Sequence, residues 1–175
     1  MRHASLRSFF VFSHPLDRTR GFIRMGMSIM PCALGKGGVK TRKREGDGAT
    51  PSGTLRALQL YRRPDRPMVR TVIPVRTTSR VMGWCDDCAS PLYNQPVTLP
   101  FNASHEKLWR EDHLYDLVID TDYNRRPALK GRGSAIFIHL ARPNYHPTEG
   151  CIAFKRRDLQ RLLGMINANT RIHVR

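Results

Sequence analysis

Apolar residues in this chain fall mostly into short runs of strand length, and one late segment repeats at helical spacing. In that segment, Arg156–Ile166, residues Leu159, Leu162, Leu163 and Ile166 recur every three or four positions and form one apolar stripe. Asp158 sits in the first turn, where a carboxylate suits the positive end of a helix, and Asn167-Ala168-Asn169 supplies a stop. Arg171–Val174 then reads as a closing strand. Upstream, Phe22–Arg24 and Ser28–Leu34 flank Met25-Gly26-Met27 as a hairpin. Thr54–Tyr61 alternates, with Leu55, Ala57, Gln59 and Tyr61 on one face and Leu58 and Leu60 on the other. Val69–Val75 is a further extended candidate, and Leu114–Asp120 and Ser134–Leu140 read as core strands. Gly35–Gly53 is rich in turn residues. Residues 82–113 form a long polar connection, of a length that compact domains usually reserve for function. Residues 1–20 are basic and weakly patterned, which predicts an N-terminal extension ahead of one domain at 21–175. The pattern predicts a mainly β fold with one late amphipathic helix.

Length and composition narrow this further. The 175 residues suit one domain with a real core, and 40% hydrophobic with 25% charged residues excludes a disordered chain. The apolar run Phe9–Phe12 is far short of the roughly 20 residues of a membrane span and of the about 7–15 of an export signal, so a soluble chain without a readable signal is expected. The net charge is +16. It is unevenly spread: residues 1–80 hold 17 basic and 4 acidic side chains, whereas residues 81–123 hold 2 basic and 8 acidic. A basic surface attracts nucleic acid, an anionic membrane or an acidic wall polymer. Neither a recognition helix nor an aromatic stacking sheet is legible, so nucleic acid is not expected. The cluster Lys40–Arg44, beside Glu45-Gly46-Asp47-Gly48, reads as a solvated hairpin tip.

Of the four cysteines, Cys32 lies in an apolar context and reads as a small core residue. Cys85 and Cys88 have the spacing of a metal knuckle or redox pair, but no second pair completes a zinc site. Structural thiols or a local disulfide are the simpler expectation, and no metal or cofactor is called for. Cys151 differs. His139 ends an apolar strand, and a twelve-residue step leads from it to Gly150-Cys151 at the head of another apolar run. If the two strands are neighbours, the imidazole meets the thiol. A thiol is a weak nucleophile until a base raises its thiolate fraction, and a histidine in reach can later return the proton to a leaving amine. Gly150 lets backbone amides approach an oxyanion. A buried Cys and a satisfied strand-end His would give the same pattern.

The segment His139…Thr148-Glu149-Gly150-Cys151-Ile152-Ala153 resembles the signature of the L,D-transpeptidase catalytic domain (YkuD) family, a His, a variable loop, then Ser/Thr-His-Gly-Cys-x-Arg/Asn. Lys43–Thr54 (with Thr50-Pro51-Ser52-Gly53), Gly83–Asp87 and Ser104–Asp116 are similar to a bacterial branch of the family, so the likeness covers roughly residues 21–175. It implies a β-sandwich in which Cys151 is the nucleophile, His139 the proton donor and acceptor, Gly150 a backbone oxyanion donor, and the Leu140 carbonyl the group that orients His139. Thr148, Glu149, His146 and Arg142 are candidate substrate-binding residues beside that pair. Two positions depart from the signature: Glu149 replaces the second His and Ala153 the Arg/Asn. His146 is a candidate for the missing ring, and His105, Trp109 and His113 for a lid.

The implied reaction is transpeptidation of peptidoglycan stem peptides through a thioester. The acidic block at 81–123, with Glu106, Glu111 and Asp112, lies in the long connection and is a candidate receiver of an acceptor amine. Hydrolysis by the same Cys–His pair, as an L,D-carboxypeptidase, and a non-enzymatic polyanion-binding module are the alternatives. The family implies the cell envelope or periplasm, whereas the missing export signal leaves the cytoplasm open.

Overall fold

The alternation of apolar and polar positions builds strands almost throughout. The computed structural model describes residues 7–175. In chain order these form β1 (Ser8–His14), β2 (Asp17–Met25), β3 (Ser28–Ala33), β4 (Val39–Lys40), β5 (Thr50–Pro51), β6 (Gly53–Leu55), β7 (Ala57–Arg62) and β8 (Val75–Thr77). There follow β9 (Met82–Cys85), β10 (Pro96–Thr98), β11 (His105–Lys107), β12 (Leu117–Thr121), β13 (Phe137–Leu140), β14 (Ile152–Phe154), α1 (Arg156–Leu163) and β15 (Arg171–Val174). The fold is mainly β, as expected, with α1 the single α-helix among the described residues.

Ten strands make one mixed sheet in the order β6-β15-β1-β2-β3-β14-β13-β12-β7-β8. β6 and β7 are separated only by Arg56 yet lie near opposite ends of that order, so the sheet curls until its two ends share one chain segment. The two layers of the expected sandwich are therefore halves of one curled sheet. Its inner face encloses the core: Phe9, Val11, Ile23, Leu60, Ile138 and Phe154 pack with Leu159, Leu162 and Leu163 of α1. Side chains alternate along strands, so Tyr61, Val118 and Phe137 point outward. That part of the outer face is covered by a second sheet, β10-β9-β11. Its anchor is Trp84, fully buried, edge-on to Phe137 at 4.9 Å and to Tyr61 at 6.3 Å, with Nε1 donating to Asn94 Oδ1 (3.0 Å).

Five expectations need correction. Residues 8–20, read as an extension, form β1 and the first part of β2 in the large sheet, so the boundary at 20/21 falls within a strand. Residues 1–6 lie outside the described residues. The connection 82–113 contains β9–β11, whose strands are only three or four residues long and show little periodicity. Thr54–Tyr61 is two strands, because Arg56 marks the passage from one sheet end to the other, and of Val69–Val75 only Val75 enters a strand. Lys43 is not on a solvated tip: it is buried and paired with Asp47 at 2.5 Å. The Met25–Ser28 hairpin and β15 match the sequence pattern.

Asp116 is a buried hub that ties α1 to the loops beside the second sheet. Its Oδ2 accepts from Arg156 Nη2 (2.7 Å) and Arg66 Nε (3.0 Å), and Arg63 Nε lies 3.8 Å from Oδ1. Removing the charge leaves guanidinium groups facing a neutral partner, and breaking a buried pair costs about 3–5 kcal/mol. Asp116→Ala is expected to lower unfolding free energy by about that amount, read as a shift in urea midpoint at constant slope.

Candidate functional site

Parallel pairing of β13 with β14 sets His139 opposite Ala153 and Ile138 opposite Ile152. Cys151 is two residues before Ala153, so its side chain shares a face with His139, one pleat away. Diagonal neighbours of this kind have Cβ atoms roughly 7 Å apart, a gap a thiol and an imidazole can span. Both line one cleft of about 260 Å³, together with Glu106, Arg110, Tyr115, Arg142, His146, Thr148 and Glu149.

The two side chains are held in neutral forms. His139 Nδ1 contacts the Leu140 carbonyl at 2.8 Å; a carbonyl only accepts, so Nδ1 carries the proton and Nε2 keeps a lone pair. The Leu140 carbonyl thereby fixes the tautomer of the ring. Tyr115 packs edge-on to the imidazole at 5.1 Å. Burial lowers the His139 pKa to about 4. Cys151 Sγ donates to the Ala135 carbonyl (3.1 Å) and accepts from the Phe137 N–H (3.4 Å). Burial raises its pKa to about 12, and the Glu106 carboxylate adds to the effect. The resting site therefore holds a thiol and a neutral base.

The loop before Cys151 is fixed by Thr148. Its N–H donates to Leu34 O (3.0 Å), its carbonyl accepts from Lys36 N–H (2.8 Å), and its hydroxyl donates to Cys151 O (2.6 Å). The same hydroxyl accepts from Gly150 N–H (3.1 Å). This changes two expectations: Thr148 has its hydroxyl engaged within the turn, and the Gly150 amide is already committed. Gly150 has φ +135°, and a Cβ there would meet Ala49 O at 2.7 Å, so only glycine fits this turn.

The other nominated residues divide. His146 and Arg142 are exposed on the cleft lip. Glu149 reaches Lys36 Nζ at 2.7 Å, an exposed pair of little energetic weight. Glu106 lines the cleft, whereas Asp112 chelates Arg110 and Glu111 faces Arg80. His105, Trp109 and His113 do not line the cleft; the guanidinium groups of Arg63 and Arg80 each lie over the Trp109 ring.

Residues that the sequence reading missed are Tyr115, whose hydroxyl donates to Glu106 Oε2 (2.6 Å), Arg110, which lies over the Tyr115 ring, and Ala135. Ala135 holds φ +50° next to the nucleophile candidate, a strained position for a residue with a Cβ. No glycine marks it, so no sequence signal could have found it.

A family model of the L,D-transpeptidase catalytic domain, YkuD, matches residues 19–174. The chain belongs to this family. Among solved structures, Bd1075 of Bdellovibrio bacteriovorus is similar at 14% identity and a TM-score of 0.44. All of this chain aligns with 51% of that one, so this L,D-transpeptidase-family chain spans about half the length of Bd1075. No match is found among curated proteins. Among the described residues, no helix is long and apolar enough to cross a membrane.

Two measurements test these electrostatics. His139 is buried neutral, with a folded pKa near 4 against an ordinary 6.5. Its contribution to stability is complete above pH 6.5 and is lost as pH falls through 4, a change on the order of 3 kcal/mol. His139→Gln is expected to remove that part of the acid limb, measured by urea unfolding at pH 7 and pH 4. Iodoacetamide should alkylate Cys151 more slowly than a free thiol at pH 7.5, and Glu106→Gln should speed the reaction by withdrawing the neighbouring charge. An unchanged rate in Glu106→Gln would show that Glu106 does not act on the thiol.

Proposed function

We propose that this chain is a cysteine-dependent L,D-transpeptidase acting on peptidoglycan stem peptides in the cell envelope. The observation that carries the reading is the placement of His139 and Cys151 on one sheet face in one cleft, with Nδ1 of the imidazole bound to Leu140 O and Nε2 left as the base.

The chemistry follows from that tautomer. Nε2 takes the thiol proton as Sγ attacks the carbonyl carbon of an L,D peptide bond. The oxyanion falls to the Cys151 N–H, since Thr148 already holds that of Gly150. The C–N bond breaks, and the imidazolium gives its proton to the departing amine. A thioester remains. The amine of a second stem attacks it, Nε2 takes the amine proton, and the C–S bond breaks to return the thiol. Burial makes the separated thiolate–imidazolium pair costly before substrate arrives, so proton transfer and attack are coupled.

The charged groups of the cleft fit a zwitterionic substrate. Arg142 can take a carboxylate and Glu106 an ammonium. Tyr115 holds Glu106 by one oxygen and leaves the other for the ligand.

Incubation with purified stem peptides tests the reading. Cross-linked dimer is expected, with a thioester adduct on Cys151 visible by mass spectrometry. Cys151→Ala and His139→Ala should each lower turnover at least a thousandfold while the fold persists by circular dichroism. Hydrolysed monomer without dimer would make water the acceptor and the chain an L,D-carboxypeptidase. Full activity in Cys151→Ala would sink the nucleophile assignment.

A further inference from the structure

Among the described residues, the second sheet covers the outer face of the large sheet over its β13-β12-β7 side. On the β15-β1-β2-β3 side that face presents aromatic rings and arginines in cross-strand rows. One row runs Thr54, His173, Phe10, Arg24, Ile29. The next runs Phe12, Phe22, Pro31. The rings of Phe10, Phe12 and Phe22 are half-buried, and Ile29 is 63% exposed. Phe10 stacks on His173 at 5.0 Å and Phe12 meets Phe22 at 5.7 Å. Arg24 lies over both Phe10 and Phe12, and Arg175 over Phe10. This is an aromatic sheet face of the kind that the sequence did not reveal, because β1 lies in the residues read as an extension.

We infer that this face docks the glycan strand of the same polymer whose stem peptide enters the cleft, an inference that rests on the reading under Proposed function. Three observations support that occupant. The face is continuous with the cleft: a third row runs Arg20, Ala33, Ala153, His139, and Arg20 Nη2 donates to Asn144 O (2.9 Å) in the lip loop. The reach is right. Phe22 lies three strand steps and one pleat repeat from His139, about 16 Å along the sheet. An extended tripeptide spans about 10 Å, which leaves the rest for its link to the sugar. The chemistry is complementary. Pyranose rings have apolar C–H faces that pack on aromatic rings, and the guanidinium groups over those rings remain able to bind wall carboxylates.

The test uses purified peptidoglycan sacculi and the Cys151→Ala protein, so that binding is read without turnover. Phe12→Ala/Phe22→Ala and Arg24→Ser/Arg175→Ser are each expected to weaken sedimentation with sacculi at least fivefold. In the otherwise native protein the same changes should lower the ratio of activity on sacculi to activity on a soluble tetrapeptide by a similar factor. The arginine pair carries the test if the phenylalanine pair lowers the melting temperature. Unchanged sedimentation in folded variants overturns the proposal. So does tight binding of a poly-deoxythymidine that displaces sacculi and is lost in the same variants, which would make the face a nucleic-acid surface. Absence of tetrapeptide turnover with sacculus binding intact would instead count against the catalytic reading alone.

Discussion

The parallel register between β13 and β14 is the constraint on which the rest of the site depends. It sets His139 against Ala153, so that Cys151 falls on the same face one pleat away. A one-residue slip would turn one of the two side chains into the core among Ile138, Ile152 and Phe154. Parallel neighbours also need a connection that returns the chain to the starting end, and residues 141–151 provide it. That connection is pinned by Thr148 to Leu34 and Lys36 just beyond β3, and is able to close only because Gly150 adopts φ +135°. The geometry of the thiol thus depends on three strands and on one glycine.

Burial then decides the chemistry. Trp84 docks the small sheet on the outer face, and Tyr115 closes against His139, so both functional groups lie away from water. In such a place the neutral pair is favoured over the ion pair, and both pKa values move apart from neutrality in the directions that keep it so. The Glu106 carboxylate reinforces the neutral thiol. Under the proposed function, a substrate ammonium that neutralised Glu106 would remove that opposition as it bound, which links occupancy of the cleft to activation of Cys151. A thiol kept inert until then is also less exposed to oxidation.

The legible parts of the sequence were those with local signals. The α1 stripe, the β2–β3 hairpin, β15 and the apolar runs around His139 and Cys151 each follow from periodicity within a few residues. The motif resemblance supplied the pairing of His139 with Cys151, which no local rule provides. What stayed hidden arises between distant segments. β1 earns its order from β15 and β2 rather than from its own pattern. The second sheet is built of very short strands that hold because Trp84 and Asn94 anchor them. Ala135 is strained by its surroundings and not by its type. Glu149, conspicuous as a departure from the signature, pairs with Lys36 at the exposed mouth of the cleft, from where its charge adds to the upward shift of the Cys151 thiol.

Charge shows the same difference between chain and surface. Much of the acidic block at 81–123 is neutralised by neighbouring arginines. Asp112 is held by Arg110, Asp116 by Arg66 and Arg156, Asp120 faces Arg125, and Glu111 faces Arg80. Glu106 is the carboxylate of that block that lines the cleft, and it is bonded there to an uncharged phenol. The arginines of β2 and the C-terminal Arg175, by contrast, sit on the exposed outer face. The molecule thereby offers cations across its open sheet and groups of both signs, Arg110, Arg142 and Glu106, within its cleft. Under the proposed function such a division suits an anionic polymer along the sheet and a zwitterionic stem peptide in the cleft, whose ammonium Glu106 can hold before Nε2 takes its proton.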